Sequence, residues 1–323
     1  MSAIPIHPRA TDGRSGRVSH SAFERLFRAV SLASAVLVLL VLIGILASVL
    51  SGGWPAFQAF GFWGFVSGES WNVGLERFGA WPAIAGTLMS SALAVVIGVP
   101  ITIGIAIFLT QLSPPWLKGP IGSAVELLAA VPSIIYGMWG LFVFAPLVAT
   151  YLQLPLNQLV EGVPIVGTVL YSAVPSGTGI LTAGIILAFM IIPFVASITR
   201  DMLDQIPPVL RESAYGIGCT RWEVIRHVLV PQAGVAIIGA IMLGLGRALG
   251  ETMAVTFVVG NANRLSGSIL DPGSTIASRI ANEFNEAADL QLNALYALGC
   301  ILFLVTFAVL LVARVLVARL GAR

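Results

Sequence analysis

Arg247 and Glu251 stand inside an otherwise apolar run, residues 235–259, and are the side chains in this sequence best placed to do chemistry. A charge at the centre of a membrane helix costs roughly 2.5–3.5 kcal/mol on insertion scales, so such residues face the interior of a bundle and have partners. A four-residue spacing puts two side chains on one helix face, with Glu251 displaced by about 6 Å along the axis. Arginine offers a rigid fork of donors suited to the oxygens of an oxyanion. Two readings fit the pair. One is an anion relay, in which Glu251 holds Arg247 while the path is empty and keeps an anion from resting there. The other is a buried ion pair that orients its helix. Gly246 and Gly250 flank the pair at small-xxx-small spacing, which predicts close approach of a neighbouring helix. Glu126 is expected to be structural, a carboxylate favoured by the dipole at the start of a span. A nucleotide phosphate loop needs Gly-x4-Gly-Lys-Ser/Thr. The only lysine, Lys118, stands instead in Trp116-Leu117-Lys118-Gly119, so no catalytic residues, metal ligands or nucleotide hydrolysis are expected of this chain.

Holding such charges takes helices in lipid. The 323 residues are 57% hydrophobic and 10% charged, with a mean hydropathy of +0.95; soluble domains carry about 25% charged residues. Apolar runs cover residues 30–50, 84–109, 121–148, 180–198, 235–259 and 294–317, each close to the roughly 20 residues that cross a bilayer. They are continuous rather than alternating, which excludes barrel strands. The expectation is an all-α integral membrane protein with six transmembrane helices: a disordered cytoplasmic tail, 1–25, and a transmembrane domain, 26–323. The first run is longer than the 7–15 residue core of a signal peptide and is expected to be retained. Pro132 and Pro193 are expected to kink the third and fourth spans. With an even number of spans, 13 basic residues fall on the side of the termini and 3, Arg77, Arg264 and Arg279, on the other. Positive residues stay inside, so both termini are expected in the cytoplasm. The net charge of +2 gives no reason to expect a nucleic-acid partner, and Cys219 and Cys300 are too few and too far apart for a disulfide framework. The outer connection 51–83 holds nine Trp and Phe residues. It reads either as a segment in the headgroup layer, where such rings are favoured, or as a docking surface. Thr275 and the residues after it predict a short helix ahead of the last span.

The cytoplasmic connection between spans four and five has its own local logic. Pro207 and Pro208 suit a helix's first turn, and helix is expected to about Tyr215. Gly216 and Gly218 allow the chain to turn through positive φ. Thr220 and Glu223 form a capping box for a second short helix that Pro231 should end. The result is a helix–turn–helix outside the bilayer.

The spacing inside this hairpin resembles the permeases of type I ABC importers. Their motif runs Glu-Ala-Ala, three residues, Gly, nine residues, Ile, one residue, Leu-Pro. Here it is Glu212-Ser213-Ala214, Gly218, Val228 and Val230-Pro231, with Ser213, Val228 and Val230 as departures. The resemblance implies a MetI-like fold and a coupling helix, formed by these residues, that seats in a separate ATP-hydrolysing subunit. The stretches 177–194 and 246–255 look like the phosphate-importer permeases of the PstC type. That likeness runs from about residue 25 onward. It implies a second permease subunit (PstA-like), ATPase subunits (PstB-like) that hold ATP and magnesium, an extracytoplasmic phosphate-binding protein (PstS-like), and a phosphate path past Arg247 and Glu251. Two other readings stay open: a permease of the same family for sulfate or molybdate, and a secondary transporter or channel that works alone. Secondary transporters often carry two similar halves; no clear repeat is visible here.

Overall fold

The computed structural model describes residues 17–160 and 166–321. Among these, six helices are long and apolar enough to span a bilayer: Phe23–Phe60, Trp81–Leu112, Ser133–Val160, Ile180–Asp204, Arg221–Gly250 and the helix beginning at Asp289. The protein is a multi-pass, all-α membrane protein, as its composition requires. By its contacts the chain divides into two compact units, one ending at Ser51 and one from Gly52 to Arg323. The first unit is a single helix beginning at Arg17, so the C-terminal part of the expected tail is helical. Arg9 and Arg14, like Arg323, lie outside the described residues. The helix exposes apolar side chains all round, Leu37, Leu40 and Val41 among them, which suits lipid and not water.

In the second unit the fourth span is the most buried of the six. It packs against the second and fifth, burying Ile186, Leu187, Ile191 and Val195 against Ala94, Ala240 and Ala248. Helix association in lipid has little hydrophobic drive and relies on close packing through small residues. That is visible here: a Cβ on Gly184 would lie 2.7 Å from Leu93 Cβ, and one on Gly244 would lie 2.6 Å from Val195 Cγ2. The expected close approach at Gly246 and Gly250 does not occur there. A Cβ on Gly246 would meet Leu310 at an ordinary 3.8 Å, and Gly250 faces open space. The close approach is instead at Gly244, two residues before Gly246.

The third span differs from the expected 121–148. Residues Pro115–Ala129 form a separate link helix, and the span proper begins at Ser133. Pro132 is extended, with φ −57° and ψ 136°. The residue before a proline is pushed out of the helical region, and a proline suits the start of a new helix. Hydropathy runs straight through this break because both helices are apolar. Glu126 consequently sits near the C-terminal end of the link helix, where the dipole does not favour it; it pairs with Arg200 at 3.4 Å instead. Pro193, by contrast, lies inside an unbroken helix, Ile180–Asp204.

The aromatic connection 51–83 is largely a core. A short helix, Phe62–Ser67, and two-residue antiparallel strands, Trp71–Asn72 and Arg77–Phe78, bury Phe65, Trp71 and Phe78 against Ile276, Leu295 and Leu298. Trp54 and Trp63 remain exposed, so only part of the segment is left for the headgroup layer. The helix Ile276–Glu283 forms ahead of the last span as expected, with Thr275 and Ser278 as its capping box.

Candidate functional site

The hairpin between spans four and five is built from the residues its sequence named. A helix, Pro208–Gly216, starts on Pro207 and ends in a turn. Gly218 takes φ +91°, and its N–H donates to the Tyr215 carbonyl at 3.0 Å. Gly216 remains helical, so only one of the two glycines is needed for its left-handed freedom. The Thr220 backbone N–H and hydroxyl donate to Glu223 at 2.7 and 2.8 Å, and the Glu223 N–H returns a bond to the Thr220 hydroxyl. The second helix does not stop at Pro231. It continues into the fifth span as one helix, Arg221–Gly250, through a π-helical turn at Ile225–Leu229. Such a local widening re-satisfies the backbone that a proline disrupts. The hairpin is therefore rigidly continuous with the span that carries Arg247.

The motif residues divide by face. Ala214 is buried, and Val228 and Val230 are part-buried, in a cluster with Leu203, Ile206, Val224 and Leu229. Glu212 and Ser213 point outward. Around them the hairpin exposes Val209, Tyr215, Trp222 and Ile217, the last 84% open. This patch is the surface that a partner would cover. It escaped the motif because exposure depends on which face the cluster claims.

The membrane site departs from expectation. The fifth span ends at Gly250, and Glu251 is extended, with φ −69° and ψ 125°. A short half-helix, Met253–Val258, follows. Arg247 and Glu251 thus do not share one helix face. Among the described residues Arg247 takes part in no ion pair within 4.0 Å. The reading of a buried structural pair has no support, and the relay loses its resting contact. Glu251 Oε1 accepts the Ala254 N–H at 3.4 Å, at the start of the half-helix. Arg247 occupies the last turn before the break, where the helix dipole favours a cation. Its side chain is exposed on this chain, with the guanidinium 6.0 Å from the Phe194 ring and close enough to Tyr136 to act on it electrostatically. The Tyr136 hydroxyl donates to the Leu128 carbonyl at 2.9 Å, and beside it opens an apolar cavity of about 340 Å³. Nothing in sequence order marks Tyr136 or Phe194 as neighbours of Arg247; they come from two other spans.

Irregular backbone at membrane depth is tolerated only where it is buried in protein or lines a wet cavity. Broken helices of this kind form the binding sites of many transporters. The arrangement offers a guanidinium with unused donors, a helix break and an aromatic rim. Among the described residues no cluster of His, Cys, Asp and Glu fits a metal ion.

Residues 98–322 match the family described as "Binding-protein-dependent transport system inner membrane component". The chain is 51% identical over 326 residues to "Phosphate transport system permease protein PstC" of Mesorhizobium japonicum, covering 100% of this chain and 99% of that one. It is 50% identical to the protein of the same name from Pasteurella multocida, covering 97% of each. It is 38% identical to "Phosphate transport system permease protein PstC 2" of Mycobacterium tuberculosis, covering 90% of each. In fold it is similar to a chain of a bacterial alginate ABC transporter crystallised with an alginate-bound periplasmic protein. The TM-score there is 0.56 at 20% identity, over 90% of this chain and 95% of that one. Hairpin, span count and likeness over the full length agree: the chain belongs to the family of binding-protein-dependent transport system inner membrane components, among the PstC permeases.

Proposed function

We propose that this chain is the permease subunit of an ATP-driven importer of inorganic phosphate, with Arg247 as the anion-contacting residue of its path. The observation that carries the proposal is the unpaired guanidinium beside the break at Glu251. A cation without a counter-ion in a span is stable only where an anion or water reaches it, and phosphate oxygens match its fork of donors. Glu251 ends the inner helix and accepts the Ala254 N–H of the outer half-helix. Its carboxylate can accept the proton that phosphate keeps near neutral pH and that sulfate lacks. Hydrolysis belongs to separate ATPase subunits (PstB-like), which hold ATP and magnesium and receive the hairpin through Ile217, Trp222 and Tyr215. A second permease (PstA-like) completes the pore, and an extracytoplasmic phosphate-binding protein (PstS-like) delivers the anion. Both termini are cytoplasmic, on the charge distribution of the connections.

The test is uptake in vesicles holding this chain and those partners. Phosphate uptake should need ATP and should fall by about 100-fold in Arg247→Ala, the effect of losing roughly 2.8 kcal/mol of charge-assisted contact. Uptake that persists when ATP is removed and the ion gradient kept would point to a stand-alone transporter. Wild-type uptake by Arg247→Ala would remove Arg247 from the path.

A further inference from the structure

Arg279 counts, in the sequence, only as one of three basic residues on the outer side. In the structure it is 4% exposed, on the outer helix Ile276–Glu283. Its Nη1 donates to Asn263 Oδ1 at 2.8 Å and to Glu283 Oε1 at 2.9 Å. Its Nη2 donates to the Ala262 carbonyl at 2.8 Å and to the Ser274 hydroxyl at 3.0 Å. The Trp71 ring lies 5.2 Å from the guanidinium carbon. Glu283 extends the cluster, accepting the Trp71 indole N–H at 2.8 Å and Gln291 Nε2 at 2.9 Å. Burial pushes the Arg279 pKa below its ordinary value, and Glu283 opposes that shift. A buried arginine is a poor way to gain stability unless its geometry is satisfied, and removing one partner leaves an uncompensated charge. Four separate segments supply that geometry.

Those segments bear on the path. The Ala262 carbonyl and Asn263 belong to the loop that leaves the outer half-helix. That loop folds back on the half-helix through Gly273 N–H to the Val259 carbonyl, at 2.8 Å, and Ala262 N–H to the Gly273 carbonyl, at 2.9 Å. The same loop walls an outer polar cavity of about 730 Å³, together with Ala173, Val174, Asp271 and Pro272. Asp271 ties the facing loop, accepting from the Ser172 hydroxyl at 3.1 Å and the Ala173 N–H at 3.0 Å. The outer half-helix, both outer loops and the start of the sixth span are thus one fastened piece. The inner part of the fifth span is continuous with the hairpin, and the joint between the two is the non-helical Glu251–Thr252.

We propose that Arg279 is a positioning residue of the outer gate: its buried guanidinium clamps the 261–264 loop to the outer helix and keeps the outer mouth of the path closed. The proposal rests on the reading that the path passes Arg247.

The test is anion efflux from vesicles that hold the full complex, loaded with phosphate or chloride, without ATP. Arg279→Gln should raise efflux of both anions by about tenfold, equivalent to about 1.4 kcal/mol of lost closed-state preference. Arg279→Lys should fall between it and the wild type, because one ammonium cannot replace the fork. Trp71→Phe keeps a ring near the guanidinium but loses the indole donor to Glu283 and part of the buried ring; it should raise efflux about fivefold, as loss of one net hydrogen bond of about 1 kcal/mol would. Assembly and a wild-type basal rate of ATP hydrolysis separate a released clamp from general loss of structure. Variants that assemble with the wild-type basal rate of ATP hydrolysis and leak no faster than wild type overturn the proposal. If Arg279→Gln does not assemble, Trp71→Phe decides by the same criterion. A wild-type complex that hydrolyses ATP and imports no phosphate would refute the phosphate reading, while chloride efflux still tests the clamp.

Discussion

At the scale of single residues, Arg247 and Glu251 have separable tasks. The guanidinium is open on the chain's own surface, whereas Glu251 is engaged with the Ala254 N–H at the start of the half-helix. Glutamine keeps an oxygen that can accept this bond and removes only the charge. Alanine removes both, and losing one net hydrogen bond costs about 1 kcal/mol. Glu251→Gln should therefore melt like the wild type, and Glu251→Ala should melt earlier. Phosphate uptake should fall in both, because an anion held by Arg247 without an opposing carboxylate leaves more slowly, and conduction needs sites that release. Thermal melts and initial uptake rates separate the two effects. Wild-type uptake by Glu251→Gln would leave the carboxylate with a purely structural task.

Among the elements, the hairpin is the one whose shape hangs on one dihedral angle. Gly218 sits at φ +91° and donates its N–H to Tyr215. Proline is locked near φ −65° and has no N–H, so Gly218→Pro must displace the second helix, which runs unbroken to Arg247. Gly216→Ala is the matching control, because Gly216 is helical and open space surrounds it. We expect Gly218→Pro to insert in the membrane and to lose ATP-coupled uptake and the stimulation of ATP hydrolysis by phosphate-loaded binding protein. Gly216→Ala should keep all three. Normal stimulation in Gly218→Pro would mean that the partner ATPase does not read this turn.

For the whole molecule, packing of the fourth span against the second and fifth is what holds the path residues in place. Overpacking a filled interface costs about 1–3 kcal/mol, and a Cβ at Gly184 or Gly244 already meets neighbours inside 3.0 Å. Gly184→Leu and Gly244→Leu should lower the melting temperature of the detergent-solubilised complex by several degrees. Gly104→Leu, with nothing near its Cβ position, should leave it unchanged. Equal melting of all three would show that these helices are held by their partner subunit and not by each other.

Lipid makes much of this protein legible in one dimension. Every backbone group in hydrocarbon must be satisfied within its own helix, so apolar length alone yields six spans. The hairpin's turn and caps are likewise local, written by Pro207, Gly218, Thr220 and Glu223 within a few residues of where they act. Hydropathy is blind to breaks between two apolar helices, as at Pro132 and Glu251, because both sides of each break are equally soluble in lipid. The four-residue spacing of Arg247 and Glu251 implies a pair only while the helix continues, and what ends it is tertiary: the half-helix Met253–Val258 is held by its loop at Val259 and packs Ala254 against Gly137 of the third span. Arg279 is the same lesson in reverse. Its partners are 208 residues away at Trp71 and 17 away at Ala262, and only the folded chain brings those atoms around one guanidinium.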